Sequence, residues 1–235
     1  MKQLSFESSG KILRTTEFVV IDCETTGVSS TDSAITEIAA VTICEGEKTG
    51  SFHTLVNPGV KLSEHIIRLT SITNEDLVDA PSIDQVLASL LEFIGNKIII
   101  GHNVKFDLAF INAALTKHHY QALNNAYIDT LTIARKLYAN EVRNFKLSTL
   151  AQYIKTNNLP THRAYSDVLA TIDLFHNLVE RSSSLGVSGV NDFIKIPSKK
   201  NRSRYSKRTI AKDAPSSSGI YIFTNKDGKA LYIGK

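Results

Sequence analysis

Several features that would mark a special class of protein are absent or scarce in this chain of 235 residues. There are only two cysteines, Cys23 and Cys44, and their separation fits neither a disulfide framework nor metal-ligand spacing, so we expect a reducing environment. No apolar run approaches the ~20 residues of a membrane span, and the N-terminus lacks the apolar stretch of a secretory signal. Tryptophan is absent, but a hydrophobic content of 42% is ordinary for a globular protein. We therefore expect a cytoplasmic protein with no membrane partner.

Acidic residues are lacking from one segment, residues 195–212, which holds eight basic residues. The net charge of +4 depends on that segment, because the rest of the chain has 19 basic against 23 acidic residues. Such a tract is either a solvated tether or an arm that binds the backbone of a nucleic acid, and the sequence leaves both open.

Hydrophobic patterning predicts a mixed α/β domain. The segment Glu17–Cys23 is dominated by apolar residues, which is typical of a strand buried on both faces. Two further strands, Ile35–Cys44 and Thr49–Val56, follow at short spacing and favour an antiparallel meander. The later elements alternate, with expected bounds Ile83–Ile94 (helix), Lys97–Ile100 (strand), Lys105–His118 (helix), Ala126–Ile128 (strand) and Tyr165–Arg181 (helix). This order indicates a sheet with helices on its faces.

The character of the sequence changes at Ser182, where a Ser/Gly-rich stretch leads into the basic tract. After it, residues 216–235 contain two β-rich runs around turn residues, which predict a hairpin. We therefore expect a main domain over residues 1–181 with its core at about 14–181, a linker over 182–215 and a hairpin over 216–235.

Two carboxylates close the first strand. Asp22 and Glu24 are two residues apart, so both side chains leave the same face of the strand. At that distance they repel each other unless a cation neutralises them. An exposed acid pair is the ordinary interpretation of such spacing. Here the pair follows an apolar strand and precedes Thr25, Thr26 and Gly27, small residues that let a ligand approach the backbone, so we favour a functional role.

Asp107 is a third acid in an apolar context. In the predicted helix it shares a face with Phe110, Ile111 and Ala114, so it should be partly buried. Buried charges are normally paired or bound to metal, although a hydrogen bond to the backbone would also satisfy this one. Asn103 is better placed than Asp107 to cap the start of this helix.

His162 and Asp167 form the third candidate segment. Asp167 lies near the start of the last helix, where the helix dipole favours a negative charge. His162 is expected in the preceding loop, where a histidine is ordinarily a surface residue. Beside a carboxylate cluster, however, it could deprotonate a water molecule near neutral pH.

Together these segments resemble the DEDDh class of 3′–5′ exonucleases, and in particular the proofreading, epsilon-type exonuclease of bacterial replicative polymerases. The similarity rests on FVVIDCETTG, GHNVKFDLAFI and HRAYSD, which match the D-x-E-T-T-G, H-N-x-x-F-D and H-x4-D motifs of that family. The strings RLTSIT (68–73) and YIDTL (127–131) are also similar, and the resemblance spans about residues 14–181. Ser71 stands where a glycine is common in the family.

The resemblance implies a ribonuclease-H-like fold: a mixed five-stranded sheet, with a three-stranded antiparallel meander beside parallel strands, flanked by helices. It also implies two Mg2+ or Mn2+ ions, which prefer hard oxygen ligands. The implied metal ligands are Asp22, Glu24, Asp107 and Asp167. The implied catalytic residues are these four and His162, which would take a proton from water. The candidates for binding the terminal nucleotide are Thr25, Thr26 and Asn103.

The terminal hairpin is similar to another family. Its GIY and YIG strings, separated by ten residues, resemble the opening of a GIY-YIG nuclease domain of the UvrC N-terminal type. The resemblance implies active-site roles for Tyr221 and Tyr232 in a complete domain. The catalytic Arg and the metal-binding Glu of that family would follow residue 235, so we expect no endonuclease activity from this chain.

The leading interpretation is a metal-dependent 3′–5′ exonuclease that hydrolyses DNA from 3′ ends and releases nucleoside monophosphates, in proofreading or repair. The expected partners are DNA with a single-stranded or frayed 3′ end, and a polymerase or repair proteins. Three alternatives stay open. They are the same chemistry on RNA, because the five site residues do not read the sugar; a non-catalytic module that binds DNA ends or a polymerase; and a targeting subunit for a downstream GIY-YIG nuclease.

Overall fold

A computed structural model describes residues 16–183, 189–194, 221–224 and 230–234. The chain divides into two compact units, residues 1–198 and 199–235. The basic tract at 195–212 lies outside the described residues, so its role as tether or arm stays a prediction.

A five-stranded mixed sheet forms the centre of the first unit. Its strands are β1 (Phe18–Thr25), β2 (Ile35–Cys44), β3 (Glu47–Leu55), β4 (Ile98–Gly101) and β5 (Tyr127–Asp129). Their spatial order is β3-β2-β1-β4-β5. The first three strands pair antiparallel, whereas β4 pairs parallel to both β1 and β5. The predicted meander beside parallel strands is therefore confirmed.

Helices cover both faces of this sheet. They are α1 (Glu64–Thr70), α2 (Asn74–Leu77), α3 (Ile83–Ile94), α4 (Lys105–Lys117), α5 (Thr130–Leu137), α6 (Leu147–Ile154), α7 (Ala164–Ser183) and α8 (Val190–Ile194). Ser82 is the N-cap of α3, and its backbone N–H donates to the side chain of Gln85. Among the helices in the described ranges, none has the length and apolar character needed to cross a bilayer.

Strand β1 is buried on both faces, as its apolar run predicts. Phe18 and Val20 belong to one hydrophobic cluster, which includes the inner face of α7. Val19 and Ile21 belong to a second cluster, which α3 and α4 cover. Because side chains alternate along a strand, Asp22 continues the row of Phe18 and Val20, on the face that α7 covers.

Part of the segment predicted as a linker is helical. Helix α8 lies within residues 182–215, and its Phe193 is fully buried, with its ring 5.7 Å from that of Phe175. Phe193 lies three residues after the buried Val190, a spacing that puts both on one face of a helix. The Ser/Gly-rich sequence around this short element concealed it. Helical structure is therefore described beyond residue 181, at the end of α7 and again in α8, and the proposed domain limits stay a prediction.

The second unit contains the two strands predicted for the terminal hairpin. They are β6 (Tyr221–Thr224) and β7 (Ala230–Gly234), and they pair antiparallel, with Tyr221 opposite Gly234. The turn between them lies outside the described residues.

Gly101, at the end of β4, allows the close approach that brings α4 to the sheet. A Cβ atom there would lie 2.8 Å from Cγ2 of Val104 and 3.3 Å from the carbonyl oxygen of Ile21. The second of these is backbone, so it cannot move aside without displacing β1. The absence of a side chain at Gly101 therefore sets the separation between the end of β1 and the start of α4.

We predict that Gly101→Ala lowers the free energy of unfolding by about 1–3 kcal/mol, because the added methyl overpacks this junction. Urea denaturation measures the loss. Gly50→Ala is the matched control, because the new Cβ would meet side chains alone, the nearest being Oγ1 of Thr42 at 3.0 Å. Equal losses in the two variants would contradict this account of Gly101.

Candidate active site

The C-terminal end of β1 presents two carboxylates on one face of the sheet. Asp22 and Glu24 are half-buried, whereas the intervening Cys23 is buried on the opposite face. The β1 ladder becomes irregular between Glu24 and Thr25, where the chain leaves the sheet. The predicted same-face arrangement of the two acids therefore holds at the end of the strand.

Asp107 reaches this pair from α4. Its side chain is 3% exposed, and its Oδ1 accepts a hydrogen bond of 2.9 Å from the backbone N–H of Cys23. That N–H lies between Asp22 and Glu24, so the bond fixes the third carboxylate beside the first two. The hydrogen bond to backbone that the sequence left open is thus present, and it does not remove Asp107 from the acidic cluster.

Asp167 and His162 come from the start of α7 and the loop before it. Asp167 is buried and its Oδ1 accepts the N–H of Thr161 at 2.9 Å. His162 is exposed, as predicted for a loop residue. One ligand atom from each of Glu24, His162 and Asp167 lies within 4.8 Å of the others. The segment that contains His162 and Asp167 therefore lies beside Glu24 at the end of β1.

The pKa values of these four carboxyl groups show that ionising them together is unfavourable. Burial raises the pKa of Asp22 well above its ordinary value, and the charges of Asp107 and Asp167 raise it further. Burial, followed by the charge of Asp167, raises the pKa of Glu24 to about 8. Burial raises the pKa of Asp107 to about 7, even though the Cys23 N–H opposes this change. Burial also raises the pKa of Asp167.

A cation would relieve this repulsion. The cluster offers carboxylate oxygens, which are the hard ligands that Mg2+ and Mn2+ prefer, and it includes one imidazole. Donor type and the raised pKa values therefore both fit divalent metal ions.

The predicted substrate residues lie around the same strand end. The hydroxyl of Thr25 donates to the carbonyl of Gly27 at 2.6 Å, and Oγ1 of Thr26 accepts the N–H of Ala34 at 3.0 Å. Both threonines thus hold the loop after β1 in shape. Each hydroxyl keeps hydrogen-bonding capacity, because a hydroxyl can donate once and accept twice.

Asn103 does not cap α4, contrary to the prediction from the sequence. Val104 precedes the first residue of α4, and no side chain caps this helix. Asn103 instead adopts a left-handed conformation, with φ of 68°, and its backbone N–H donates to Oδ1 of Asp129 at 2.9 Å. Its own side chain is exposed. Asp129 also accepts the N–H of Leu131 and is the N-cap of α5.

Sequence reasoning missed two residues of this region, Glu37 and Arg163. Glu37 lies on β2 directly opposite Glu24 and is fully buried. Arg163 follows His162 and donates to Glu37 through Nε and Nη2. The available signal was a single carboxylate inside the otherwise uncharged strand β2, with an arginine inside the third motif.

The chain matches a protein family over most of the main sheet and its helices. A family model described as Exonuclease, RNase_T, covers residues 19–175. This span includes all four carboxylates of the cluster and His162.

Two curated relatives are similar in sequence. A Mycobacterium tuberculosis (strain CDC 1551 / Oshkosh) protein, provisionally named a bifunctional exonuclease/endonuclease, is 36% identical over 229 residues, which cover 94% of this chain and 36% of that protein. A PolC-type DNA polymerase III of Caldanaerobacter subterraneus is 38% identical over 176 residues, 75% of this chain and 12% of the polymerase. The chain thus spans well under two thirds of either relative.

A solved structure has the same fold. Exonuclease I of E. coli in complex with a dA16 oligonucleotide superposes with a TM-score of 0.64 and 18% identity, covering 73% of this chain and 42% of the other. Identity at this level supports the ribonuclease-H-like fold alone.

We predict that the metal-free protein loses stability as pH rises from about 5 to 8. Because the carboxyl pKa values are raised in the folded state, the folded protein still holds protons there that the unfolded chain has already released. The free energy of unfolding therefore falls progressively as pH rises, and the loss is complete once pH has passed about 7 to 8. Mg2+ should restore the melting temperature at pH 8 by several degrees, since ~1 kcal/mol shifts it by about 2–4 °C.

Asp22→Asn should reduce both the pH-dependent loss and the Mg2+ effect, as measured by thermal denaturation after chelator treatment. The control is Asp79→Asn, at an exposed carboxylate after α2. Identical Mg2+ shifts in the two variants would show that the cluster does not hold the ion.

Proposed function

Because this chain belongs to the RNase_T exonuclease family, we propose that it is a metal-dependent 3′–5′ exonuclease that hydrolyses DNA and releases nucleoside monophosphates. The observation that carries the proposal is the convergence of three distant segments on one acidic cluster. Glu24, Asp167 and His162 have ligand atoms within 4.8 Å of one another, and Asp107 is hydrogen-bonded to the strand that bears Glu24. A cluster of this kind opposes folding in the absence of a ligand, so a functional reason for it is required.

Proteins of this family use divalent metal ions. In this chain the residues that would hold them are Asp22, Glu24, Asp107 and Asp167. The chemistry that Mg2+ or Mn2+ supplies at such a site is stabilisation of the negative charge on the attacking and leaving oxygens. The choice of two ions, and of Mg2+ over Mn2+, belongs to the proposal.

His162 would act as the general base. Its exposed imidazole lies beside Glu24 and Asp167, on the side of the cluster that solvent reaches. In hydrolysis the water oxygen forms a bond to phosphorus and the bond from phosphorus to the 3′ oxygen of the preceding nucleotide breaks. His162 accepts the proton of the water, and the leaving 3′ oxygen is protonated from solvent.

Thr25, Thr26 and Asn103 are proposed to position the terminal nucleotide. The exposed side chain of Asn103 is held at the sheet edge by the bond from its backbone N–H to Asp129. The two threonines shape the loop after β1, where hydroxyl and backbone groups can reach a sugar or phosphate.

DNA is favoured over RNA by the relatives. One is a PolC-type DNA polymerase III, and exonuclease I was crystallised with a dA16 oligonucleotide. Single-stranded or frayed 3′ ends are therefore the proposed substrate, and a polymerase or repair proteins the proposed partners. A non-catalytic binding module would have no use for His162 beside a repulsive acidic cluster.

One observation favours a relation of the terminal residues to a second nuclease family, although we expect no endonuclease activity from this chain itself. The relative named for both exonuclease and endonuclease activity matches 94% of this chain, which requires its similarity to continue beyond the RNase_T span. We therefore propose that residues 216–235 correspond to the start of a GIY-YIG domain. Tyr221 and Tyr232, one on each paired strand, would be its active-site tyrosines.

We predict that the chain with Mg2+ or Mn2+ shortens 5′-labelled single-stranded DNA stepwise from its 3′ end, and cleaves a matched RNA oligonucleotide at least about tenfold more slowly. Gel electrophoresis of both labelled strands measures the two rates, and Asp22→Ala controls for a contaminating nuclease. Cleavage of RNA at an equal or faster rate would contradict the proposal that DNA is the substrate. No cleavage of either, with metal bound, would favour the binding module.

A further inference from the structure

Glu37 is a buried carboxylate beside the acidic cluster that the proposed mechanism does not use. On β2 it continues a row of core residues, Ala39, Val41 and Ile43, and its side chain is 0% exposed. It is paired across the sheet with Glu24. A fifth acid at this place would normally be taken as another metal ligand.

The hydrogen bonds of Glu37 argue against a ligand role. Its Oε1 accepts from Arg163 Nη2 at 3.0 Å and from His53 Nε2 at 2.7 Å. Its Oε2 accepts from Arg163 Nε at 3.1 Å and from the N–H of Ala164 at 2.9 Å. A carboxylate has about four lone-pair sites, so protein donors occupy the acceptor capacity of Glu37.

The same donors also affect the pKa of Glu37. Burial opposes its charge, but the donors on Arg163, His53 and Ala164 together lower the pKa of Glu37 below its ordinary value. Because an ionised carboxylate can only accept, Nε2 of His53 must carry the proton in their hydrogen bond. The ring of His53 lies 5.4 Å from that of Tyr165, in the first turn of α7.

These bonds fix the backbone on the C-terminal side of His162. Arg163 and Ala164 follow it directly and both bond to Glu37. On its other side, the N–H of Thr161 bonds to Asp167. His162 itself has φ of 58°, a left-handed conformation that is unfavourable for a non-glycine residue and persists only where the surroundings impose it.

We infer that Glu37 and Arg163 are positioning residues for His162. Their bidentate pair joins the sheet to the start of α7 and holds the intervening loop in the left-handed turn that directs the imidazole towards Glu24 and Asp167. The inference rests on the proposed exonuclease function. It assigns Glu37 a role distinct from that of Glu24, although the two carboxylates are neighbours across the sheet.

The consequence for catalysis is specific. Neither Glu37 nor Arg163 carries the proton, so their loss should act only through the placement of His162. A displacement of about 1 Å in a catalytic group lowers rate by about 100-fold. Affinity for metal and substrate should change little, because the four other carboxylates keep their places.

The test is a double-mutant cycle between Glu37→Gln and His162→Ala. Glu37→Gln should lower kcat by about 10- to 100-fold, with KM for a DNA oligonucleotide and Kd for Mn2+ unchanged within about twofold. In the His162→Ala background the same substitution should lower kcat by less than about twofold. Arg163→Lys, which keeps the charge but not the bidentate geometry, should lose less than Arg163→Gln.

The matched control is Glu141→Gln, which breaks another Glu–Arg pair, with Arg181, away from the third motif. It should leave kcat unchanged. Equal losses from Glu37→Gln in both backgrounds, or a rise in KM and Mn2+ Kd in step with the loss, would overturn the inference. If Glu37→Gln does not fold, Arg163→Gln, at a partly exposed residue, takes its place in the double-mutant cycle with His162→Ala.

A readout independent of activity separates this inference from the proposed function. The NMR signals of the His162 imidazole should shift in Glu37→Gln and in Arg163→Gln but not in Glu141→Gln. Unchanged His162 signals would overturn the positioning role even in an active enzyme. Absence of nuclease activity in the wild-type chain, with those signals shifted as expected, would overturn the exonuclease function and leave the positioning of His162 supported.

Discussion

Repulsion among carboxylates at one end of the sheet is the constraint on which the rest of the structure depends. Asp22, Glu24, Glu37, Asp107 and Asp167 all raise the cost of ionising their neighbours or are themselves affected by them. They lie on two strands, β1 and β2, and two helices, α4 and α7, which pack together through hydrophobic contacts. The core on both faces of β1 provides the stability that allows this charge to be gathered at its end.

The molecule handles that repulsion in two ways. Glu37 is neutralised within the protein, by a bidentate arginine, a histidine and a backbone N–H. The other four acids have fewer protein donors, and burial raises their pKa values, with repulsion adding to the rise at Asp22 and Glu24. We propose that this second group of carboxylates binds the external cation. Hydrogen bonding thus separates residues that hold the framework from residues that can bind metal, although Glu24 and Glu37 are paired across two strands.

Much of the fold and the core of the site could be predicted from the sequence because the signals are local. The apolar run before Asp22 locates β1, and two-residue spacing puts Glu24 on the same face. Helical periodicity predicts that Asp107 is partly buried, and the structure buries it almost completely. The roles of these residues in catalysis stay proposals, but their meeting at one place follows from the parallel pairing of β1 with β4, whose ends lie at the same edge.

The features that the sequence did not reveal depend on distant pairings. Glu37 and Arg163 are 126 residues apart, and nothing in either local sequence indicates the other. Asn103 was expected to cap α4, but a bond to Asp129 fixes it in a left-handed conformation instead. Helix α8 was missed because the buried Val190 and Phe193 stand within a Ser/Gly-rich context. In each case tertiary contacts override the local preference.

The most direct test of this account is the anomalous diffraction of crystals grown with Mn2+ and a nucleoside monophosphate. We expect Mn2+ peaks within about 2.5 Å of oxygens from Asp22, Glu24, Asp107 and Asp167. We also expect that Glu37 still accepts both hydrogen bonds from Arg163. Mn2+ bound by Glu37 with Arg163 displaced, or no Mn2+ at the four carboxylates, would contradict this account.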